Sequence, residues 1–227
     1  MPVDTTHRAS AESIRSLLAA KQATPAVFRA ALLEVPPGER DVWLDRVLGL
    51  ESLPDDGPEL PRGCVPYLPC AVDILLRMID QADVRDTDVF VDIGAGVGRA
   101  ALLVHLWTGA TTIGLEIQPA LVHTSRDLTT RLCISHYHAI EGDAVGLAGR
   151  ITTGSIFFLY CPFSGARLEQ VLDDLEPIAR AHAIRICCVN LPLPPRPWLT
   201  LQSPSSEDLA IYRSTPPGTP ANLARNS

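Results

Sequence analysis

The amino-acid sequence predicts an α/β fold with a mostly parallel sheet, helices on both sides of it and an antiparallel hairpin at its end. From Asp88 onward, short apolar runs typical of buried strands alternate with segments whose apolar residues recur at helical spacing. Such alternation produces right-handed βαβ units. The last two apolar runs are joined by "PSSE" without a helix, so they predict a hairpin at a sheet edge.

Seven strands follow from this pattern. They are "VFVDIG", "TTIGLEI", "YHAIEGDA", "SIFFLY", "IRICCVNL", "WLTLQS" and "DLAIYRS". The helices predicted between them are "RAALLVHLWTG", "PALVHTSRDLTTRL" and "ARLEQVLDDLEPIARA", and "PCAVDILLRMIDQA" precedes the first strand.

The N-terminal part of the chain predicts a helical extension. Apolar residues recur at helical spacing in "AESIRSLLAAKQ", "PAVFRAALLEV" and "RDVWLDRVLGL", and the proline-rich, acidic stretch "ESLPDDGPELPRG" then predicts a loop. We therefore divide the chain into an extension at 1–60, an α/β domain at 61–214 and a tail at 215–227. The tail has little apolar surface, so we expect it to be disordered.

Composition narrows the classes of function. No apolar run approaches the ~20 residues of a membrane span, and the start of the chain has no continuous signal-peptide core. We therefore expect a cytoplasmic protein without a membrane partner. The net charge of −7 opposes binding to phosphate backbones, so it disfavours nucleic acid as a partner.

The cysteines and histidines do not predict a disulfide framework or a metal site. The six cysteines are irregularly spaced, and we interpret them as thiols, mostly buried. No CxxC or HxxxH pair occurs. His136 and His138 lie two apart on a predicted strand, which favours a solvated or core-edge pair over metal ligands.

A glycine-rich turn joins the first predicted strand to its helix in "VFVDIGAGVGRAALLVHL". Glycine lets a ligand approach the main chain, and the helix N-terminus offers unpaired N–H groups to it. The turn therefore predicts a nucleotide-like ligand, although a tight turn packed under the helix is the alternative. The carboxylate of Asp92, two residues before the turn, suits a cationic group better than a pyrophosphate.

The dinucleotide fingerprint GxGxxG/A fits this turn poorly. Counted from Gly94, Arg99 takes the place of the third glycine. Counted from Gly96 through Gly98 to Ala101, the pattern requires the strand to end too early.

The motifs "VDIGAGVGR", "IGLEI" and "EGDA", in this order, resemble those of the class I S-adenosylmethionine-dependent methyltransferases. The resemblance covers roughly Tyr67 to Ser214. It implies a seven-stranded Rossmann-like sheet with a C-terminal antiparallel hairpin, S-adenosylmethionine as cofactor, and methyl transfer by direct displacement.

The resemblance also implies roles for particular residues. Asp92 and the turn Gly94, Ala95, Gly96 and Gly98 would hold the methionine end of the cofactor, Glu116 the ribose hydroxyls, Ile117 the adenine, and Asp143 with Ala144 the adenine amino group. Tyr67 lies in a loop that would cover the cofactor. The alternatives are an exposed acid at 116, a turn cap at 143, and core packing at 67 and 117.

The end of the fourth strand, in "FFLYCPFSG", would face the transferred methyl. Related enzymes that methylate amino groups have the motif [DNS]PP[YF] at this position. The acid or amide of that motif is absent here, which argues against a nucleobase or glutamine as the methyl acceptor. Tyr160 is the candidate catalytic residue and would also lie beside the cofactor; a hydroxyl satisfied at the sheet edge is the alternative. His123 is a second candidate base and Asn190 an orienting group, whereas Cys161 is disfavoured as a nucleophile.

Three functions remain open on the sequence. We favour methylation of a small molecule. "GLEIQPALV" and the glycine turn also resemble the non-SET histone lysine methyltransferases, although Arg99 replaces their glutamine, so a protein substrate is the alternative; a non-catalytic cofactor-binding module is the third. The N-terminal helices, Ala11 to Leu50, are expected to be a lid over the substrate pocket or, alternatively, an extension behind the sheet.

Deletion of residues 216–227 should leave folding and cofactor binding unchanged, because this proline-rich tail has almost no apolar bulk to pack. Thermal unfolding of the shortened and full-length chains checks this. A fall of several degrees in the melting temperature would show that the tail docks.

Overall fold

Seven strands form a single sheet in the computed structural model, which describes residues 5–50, 52, 60–202 and 208–215. They are β1 (Val89–Ile93), β2 (Thr111–Glu116), β3 (Tyr137–Glu141), β4 (Ile156–Tyr160), β5 (Arg185–Val189), β6 (Leu199–Leu201) and β7 (Leu209–Ser214). Their order is β3-β2-β1-β4-β5-β7-β6. Strands β1 to β5 are parallel, and β7 is antiparallel to β5 and β6. The predicted sheet and its C-terminal hairpin are confirmed.

Helices occupy the predicted segments. They are α1 (Thr5–Ala19), α2 (Pro25–Leu33), α3 (Arg40–Leu48), α4 (Val72–Gln81), α5 (Arg99–Thr108), α6 (Pro119–Arg131) and α8 (Ala166–Ala181). The short α7 (Ala144–Leu147) and the 3-10 turns at Pro37–Glu39 and Ala148–Arg150 were not predicted. None of the helices described is long and apolar enough to cross a membrane. The predicted tail beyond Thr215, the turn "PSSE" and most of "ESLPDDGPELPRG" lie outside the described residues.

The sheet is buried on both faces, which explains why its central strands are almost continuously apolar. Side chains alternate along a strand. In β4, Ile156 and Phe158 join a core with α1 to α6, whereas Phe157 and Leu159 join a second core with α8. All six cysteines are free thiols, as predicted, but only Cys70, Cys187 and Cys188 are buried, which is half of them and not most.

The N-terminal helices belong to the first of these cores. Phe28 and Leu32 of α2 and Trp43 of α3 are buried in one cluster with residues of α4 and α5. Helix α5 is consequently buried almost all round, with seven of its ten residues inaccessible. The described part of the extension therefore forms an outer helical layer on one side of the sheet.

The Arg99 guanidinium joins this layer to the glycine turn. Arg99, the first residue of α5, is 3% exposed. Its Nε donates to Asp45 Oδ1 at 2.6 Å, its Nη2 to Asp41 Oδ1 at 2.8 Å and its Nη1 to the Cys70 carbonyl at 2.6 Å. Asp41 Oδ1 also accepts from the Val72 amide at 2.9 Å, at the start of α4. One side chain thus connects α3, α4 and α5.

Burial lowers the pKa of the Arg99 guanidinium, but the carboxylates of Asp45 and Asp41 outweigh this and raise it. The cation is therefore retained inside the protein because two carboxylates and a carbonyl surround it.

Substitution Arg99→Met should lower the free energy of unfolding by about 2 kcal/mol, since it leaves the buried Cys70 carbonyl and the partly exposed carboxylates of Asp41 and Asp45 without their partner. Urea denaturation measures this. Arg8→Met is the matched control, because it breaks an exposed ion pair with Glu12 and should change stability by less than about 0.5 kcal/mol. Equal unfolding midpoints for the two variants would contradict the structural role of Arg99.

Candidate functional site

A cavity of about 210 Å³ opens at the carboxyl ends of the parallel strands. It lies where β1 has β2 on one side and β4 on the other, which is the position where open α/β sheets bind ligands. Segments that follow β1, β2, β3, β4 and β5 line it, together with the connector 60–68 that precedes α4.

The structure brings seven of the predicted site residues to the wall of this cavity. They are Tyr67, Gly94, Glu116, Ile117, Asp143, Ala144 and Tyr160. The other four, Asp92, Ala95, Gly96 and Gly98, are not among the lining residues. These four residues are nevertheless close to the cavity in the chain, because Asp92 is the last but one residue of β1 and the glycine turn begins directly after Ile93.

Protein side chains pack against the glycine turn. Gly96 and Gly98 have φ values of 56° and 80°, which disfavour any residue with a Cβ. A Cβ at Gly96 would lie 2.0 Å from Cε2 of Tyr67, and one at Gly98 would lie 2.3 Å from the Tyr137 hydroxyl. Backbone conformation and close protein packing therefore account for glycine at these two positions, as in the packed tight turn that the sequence left as the alternative to a ligand.

Glu116 connects the turn to the end of β2. Its side chain is 7% exposed; Oε2 accepts from the Gly96 amide and Oε1 from the Gln118 amide, both at 2.8 Å. A carboxylate has about four lone-pair sites, so each oxygen retains acceptor capacity. Glu116 is thus a buried acceptor, fixed in orientation at the cavity wall.

Asp92 lies behind the turn and is 3% exposed. Burial, and then the nearby charge of Glu116, raise the pKa of Asp92 to about 7, although the Ala101 amide donates a hydrogen bond to it. Two carboxyl groups therefore share the interior beneath the glycine turn.

Asp143 lies at the end of β3, where it caps α7. Its Oδ1 accepts from the Val145 amide at 3.0 Å and also from Nη2 of Arg167. The turn cap that the sequence left as an alternative is therefore present, and the carboxylate still lines the cavity. Sequence reasoning missed Arg167. A cation in the first turn of a helix is unfavourable because it opposes the helix dipole. The position of Arg167 in the first turn of α8 was therefore a sign in the sequence that could have indicated a role for it.

The connector 60–68 forms one wall of the cavity. It pairs with the loop after β4: the Val65 amide donates to the Pro162 carbonyl at 3.1 Å and the Ser164 amide to the Gly63 carbonyl at 3.3 Å. The ring of Tyr67 packs on Gly96, and burial raises the pKa of its hydroxyl. Among the described residues, the connector 60–68 contributes to the cavity wall, whereas α1 to α3, the expected lid, do not line it.

The end of the cavity near β4 and β5 has an unusual backbone. Cys161 and Asn190 both have positive φ, 43° and 50°, and the Cys161 thiol donates to the Asn190 carbonyl at 2.8 Å. Such conformations are uncommon outside glycine and cluster at functional sites. Burial raises the pKa of Cys161, which fits a structural thiol rather than a nucleophile.

Tyr160 is the only one of the two candidate bases, Tyr160 and His123, that lines the described cavity. Burial, and then the thiols of Cys70 and Cys161, raise the pKa of Tyr160 above its ordinary value. Its hydroxyl is therefore protonated at neutral pH and can orient a group by hydrogen bonding. His123 lies exposed on α6, 3.3 Å from Asp127, away from the cavity wall.

Stability should fall as pH rises through the range set by Asp92. The pKa of Asp92 is about 7 in the folded state and near 4 in the unfolded state, so the folded state binds the proton more tightly. The stabilisation that results is complete below about pH 4 and is lost as the pH rises to about 7. Urea titrations at pH 5 and 8 should show a decline of up to about 3 kcal/mol in the wild type that Asp92→Asn removes. Parallel pH profiles for the two proteins would contradict this.

Comparisons with known proteins agree with this arrangement. A family profile described as histone methylation protein DOT1 matches residues 67–137, which is less than half of the chain. This agrees with the resemblance of "GLEIQPALV" to the non-SET histone lysine methyltransferases. No curated protein matches the chain significantly in sequence.

Solved structures share the fold at low sequence identity. An RNA methyltransferase from Salinibacter ruber, in complex with S-adenosylhomocysteine, aligns with a TM-score of 0.53 and 23% identity over 70% of this chain and 100% of that one. A methyltransferase from Podospora anserina bound to S-adenosylhomocysteine aligns with a TM-score of 0.51 and 14% identity, over 65% and 80%. The chain therefore has the fold of the class I S-adenosylmethionine-dependent methyltransferases.

Proposed function

We propose that the protein binds S-adenosylmethionine in this cavity and transfers its methyl group to a small molecule. The observation that carries the proposal is the convergence of two carboxylates, Glu116 and Asp143, at the ends of the adjacent strands β2 and β3, beside the glycine turn. Carboxylates so placed accept hydrogen bonds from a vicinal diol and from an exocyclic amine. A nucleoside offers both.

The residues present fit this cofactor. Glu116 has acceptor capacity remaining on both oxygens and would hold the ribose hydroxyls. Asp143 would accept from the adenine amino group, with Ile117 and Ala144 against the base. Gly94 and the ring of Tyr67 would border the amino-acid end, and the buried carboxyls of Asp92 and Glu116 favour a cationic ligand there.

In the bound state the cofactor would supply a methyl group on a sulfonium, whose neutral thioether is a good leaving group. The chain's own contribution would be alignment of the acceptor and exclusion of water. The connector 60–68, one wall of the cavity, would help to exclude water, and the protonated hydroxyl of Tyr160 and the side chain of Asn190 would orient the acceptor atom. None of the described residues near Tyr160 is placed to act as a strong base. The acceptor atom would therefore be one that has no proton to lose or that loses its proton easily.

The end of the cavity around Tyr160 supports a small neutral acceptor. The lining that follows β4 and β5 is uncharged and consists of Tyr160, Cys161, Pro162, Phe163 and Asn190, and Val65 and Leu68 of the connector add apolar side chains. Val65 and Leu68 are exposed at the rim. Recognition of a lysine ammonium requires a carboxylate or an aromatic cage, and a phosphate chain requires cations. An apolar, uncharged compound with an oxygen, sulfur or neutral nitrogen acceptor matches this lining better.

A protein substrate is the second candidate, because residues 67–137 match the histone methylation family. Transfer of radiolabelled methyl groups separates the candidates. Phenol and thiol acceptors should be labelled if the small-molecule proposal is correct, whereas labelling only of histone or nucleosome lysines would favour the second candidate. Tight cofactor binding without labelling of any acceptor class would indicate a binding module.

Calorimetry should detect binding of both S-adenosylmethionine and S-adenosylhomocysteine. Glu116→Ala should weaken binding by about 1.5 to 3 kcal/mol, the range for hydrogen bonds to a charged group. Glu141→Ala is the matched control, because Glu141 lies opposite Glu116 in register on β3 but is exposed and does not line the cavity. Binding of NADH without binding of either methionine derivative would refute the assignment.

A further inference from the structure

The structural roles of the residues around Arg167 do not require a cation at this position. Arg167 stands in the first turn of α8 and lines the cavity beside Asp143, with its side chain 21% exposed. Asp143 caps α7 through the Val145 amide without it. The helix dipole of α8 opposes a cation in its first turn. The placement therefore requires another explanation.

The donors of Arg167 are only partly used. A guanidinium has five N–H donors in a fixed fork. Nη2 donates to Asp143 Oδ1, whereas Nε is buried and has no hydrogen-bond partner among the described residues. The side chain also passes Gly63 of the connector 60–68, since its Cδ lies 3.8 Å from the position that a Cβ there would take. A donor side chain thus stands next to the Asp143 acceptor at the cavity wall.

This pair is complementary to one edge of a particular base. In adenine the exocyclic amine is a donor, and the ring nitrogens N1 and N7 on either side of it are acceptors. An oxygen at C6, as in guanine or hypoxanthine, would present an acceptor to the Asp143 carboxylate. Asp143 and Arg167 together offer the acceptor and donor that adenine needs.

We infer that Arg167 is a specificity-determining residue of the cofactor site, where it donates a hydrogen bond to N1 or N7 of the adenine while Asp143 accepts from the amino group. The inference rests on the proposed function. It assigns recognition of the base to a pair of side chains from β3's end and from α8, and it gives the ion pair a role in binding.

Calorimetry with S-adenosylhomocysteine and its 1-deaza and 7-deaza adenine analogues tests the inference, because each analogue lacks one ring acceptor. The wild type should bind one of the two analogues about tenfold or more weakly than S-adenosylhomocysteine. Arg167→Met should bind S-adenosylhomocysteine about tenfold more weakly and should distinguish it from that analogue by less than twofold. Arg196→Met is the matched control, because it breaks ion pairs of similar burial with Glu169 and Asp173 of α8 away from the cavity.

The outcomes separate this inference from the proposed function. Discrimination retained in Arg167→Met, or equal affinity of the wild type for all three compounds, would overturn the role of Arg167 while leaving the cofactor assignment intact. A wild type that binds none of the three compounds would overturn both. Circular dichroism and thermal unfolding of each variant show whether a loss of affinity reflects a loss of folding, and Arg167→Lys, which retains the charge but not the fork, should also lose the discrimination.

Discussion

The buried guanidinium of Arg99 is the contact on which the arrangement of the cavity depends. It follows the glycine turn directly, and its three donors hold α3, the peptide before α4 and the start of α5 together. Because the Cys70 carbonyl is one of its acceptors, the same side chain anchors the end of the segment that carries Tyr67. The position of the turn, of α4 and of the cavity wall is thus set by one cation and the carboxylates around it.

The glycine turn is packed from several sides by protein. Tyr67 lies against Gly96, Tyr137 and Ser125 against Gly98, and the Gly96 amide donates to Glu116. A turn so constrained has little freedom left to lose when a ligand arrives, which reduces the entropic penalty of binding. The connector 60–68, paired with the loop after β4, completes a largely preformed wall.

Charge is divided unequally along the cavity. Glu116, Asp143 and its partner Arg167 line it beside β2 and β3, whereas Tyr160, Cys161 and Asn190 beside β4 and β5 are uncharged. The first end is suited to the polar groups of a nucleoside, and the second to a neutral acceptor with apolar surface. The positive φ of Cys161 and Asn190, joined by a thiol to carbonyl hydrogen bond, fixes the backbone at the neutral end.

The sequence by itself determined the order and type of the elements, because strand and helix periodicities are local properties of the chain. Its resemblance to methyltransferase motifs also identified Glu116 and Asp143. Glu116 is the last residue of β2 and Asp143 follows β3 by two residues, at the edge where the carboxyl ends of the parallel strands meet. Only the tertiary structure decided where the N-terminal helices lie, because an apolar helix face does not specify what covers it. The apolar surface all round α5 was the one available sign that α1 to α3 pack there. The burial of Asp92 and the pairing of Arg167 with Asp143 likewise depend on contacts between segments distant in sequence, which no local pattern encodes.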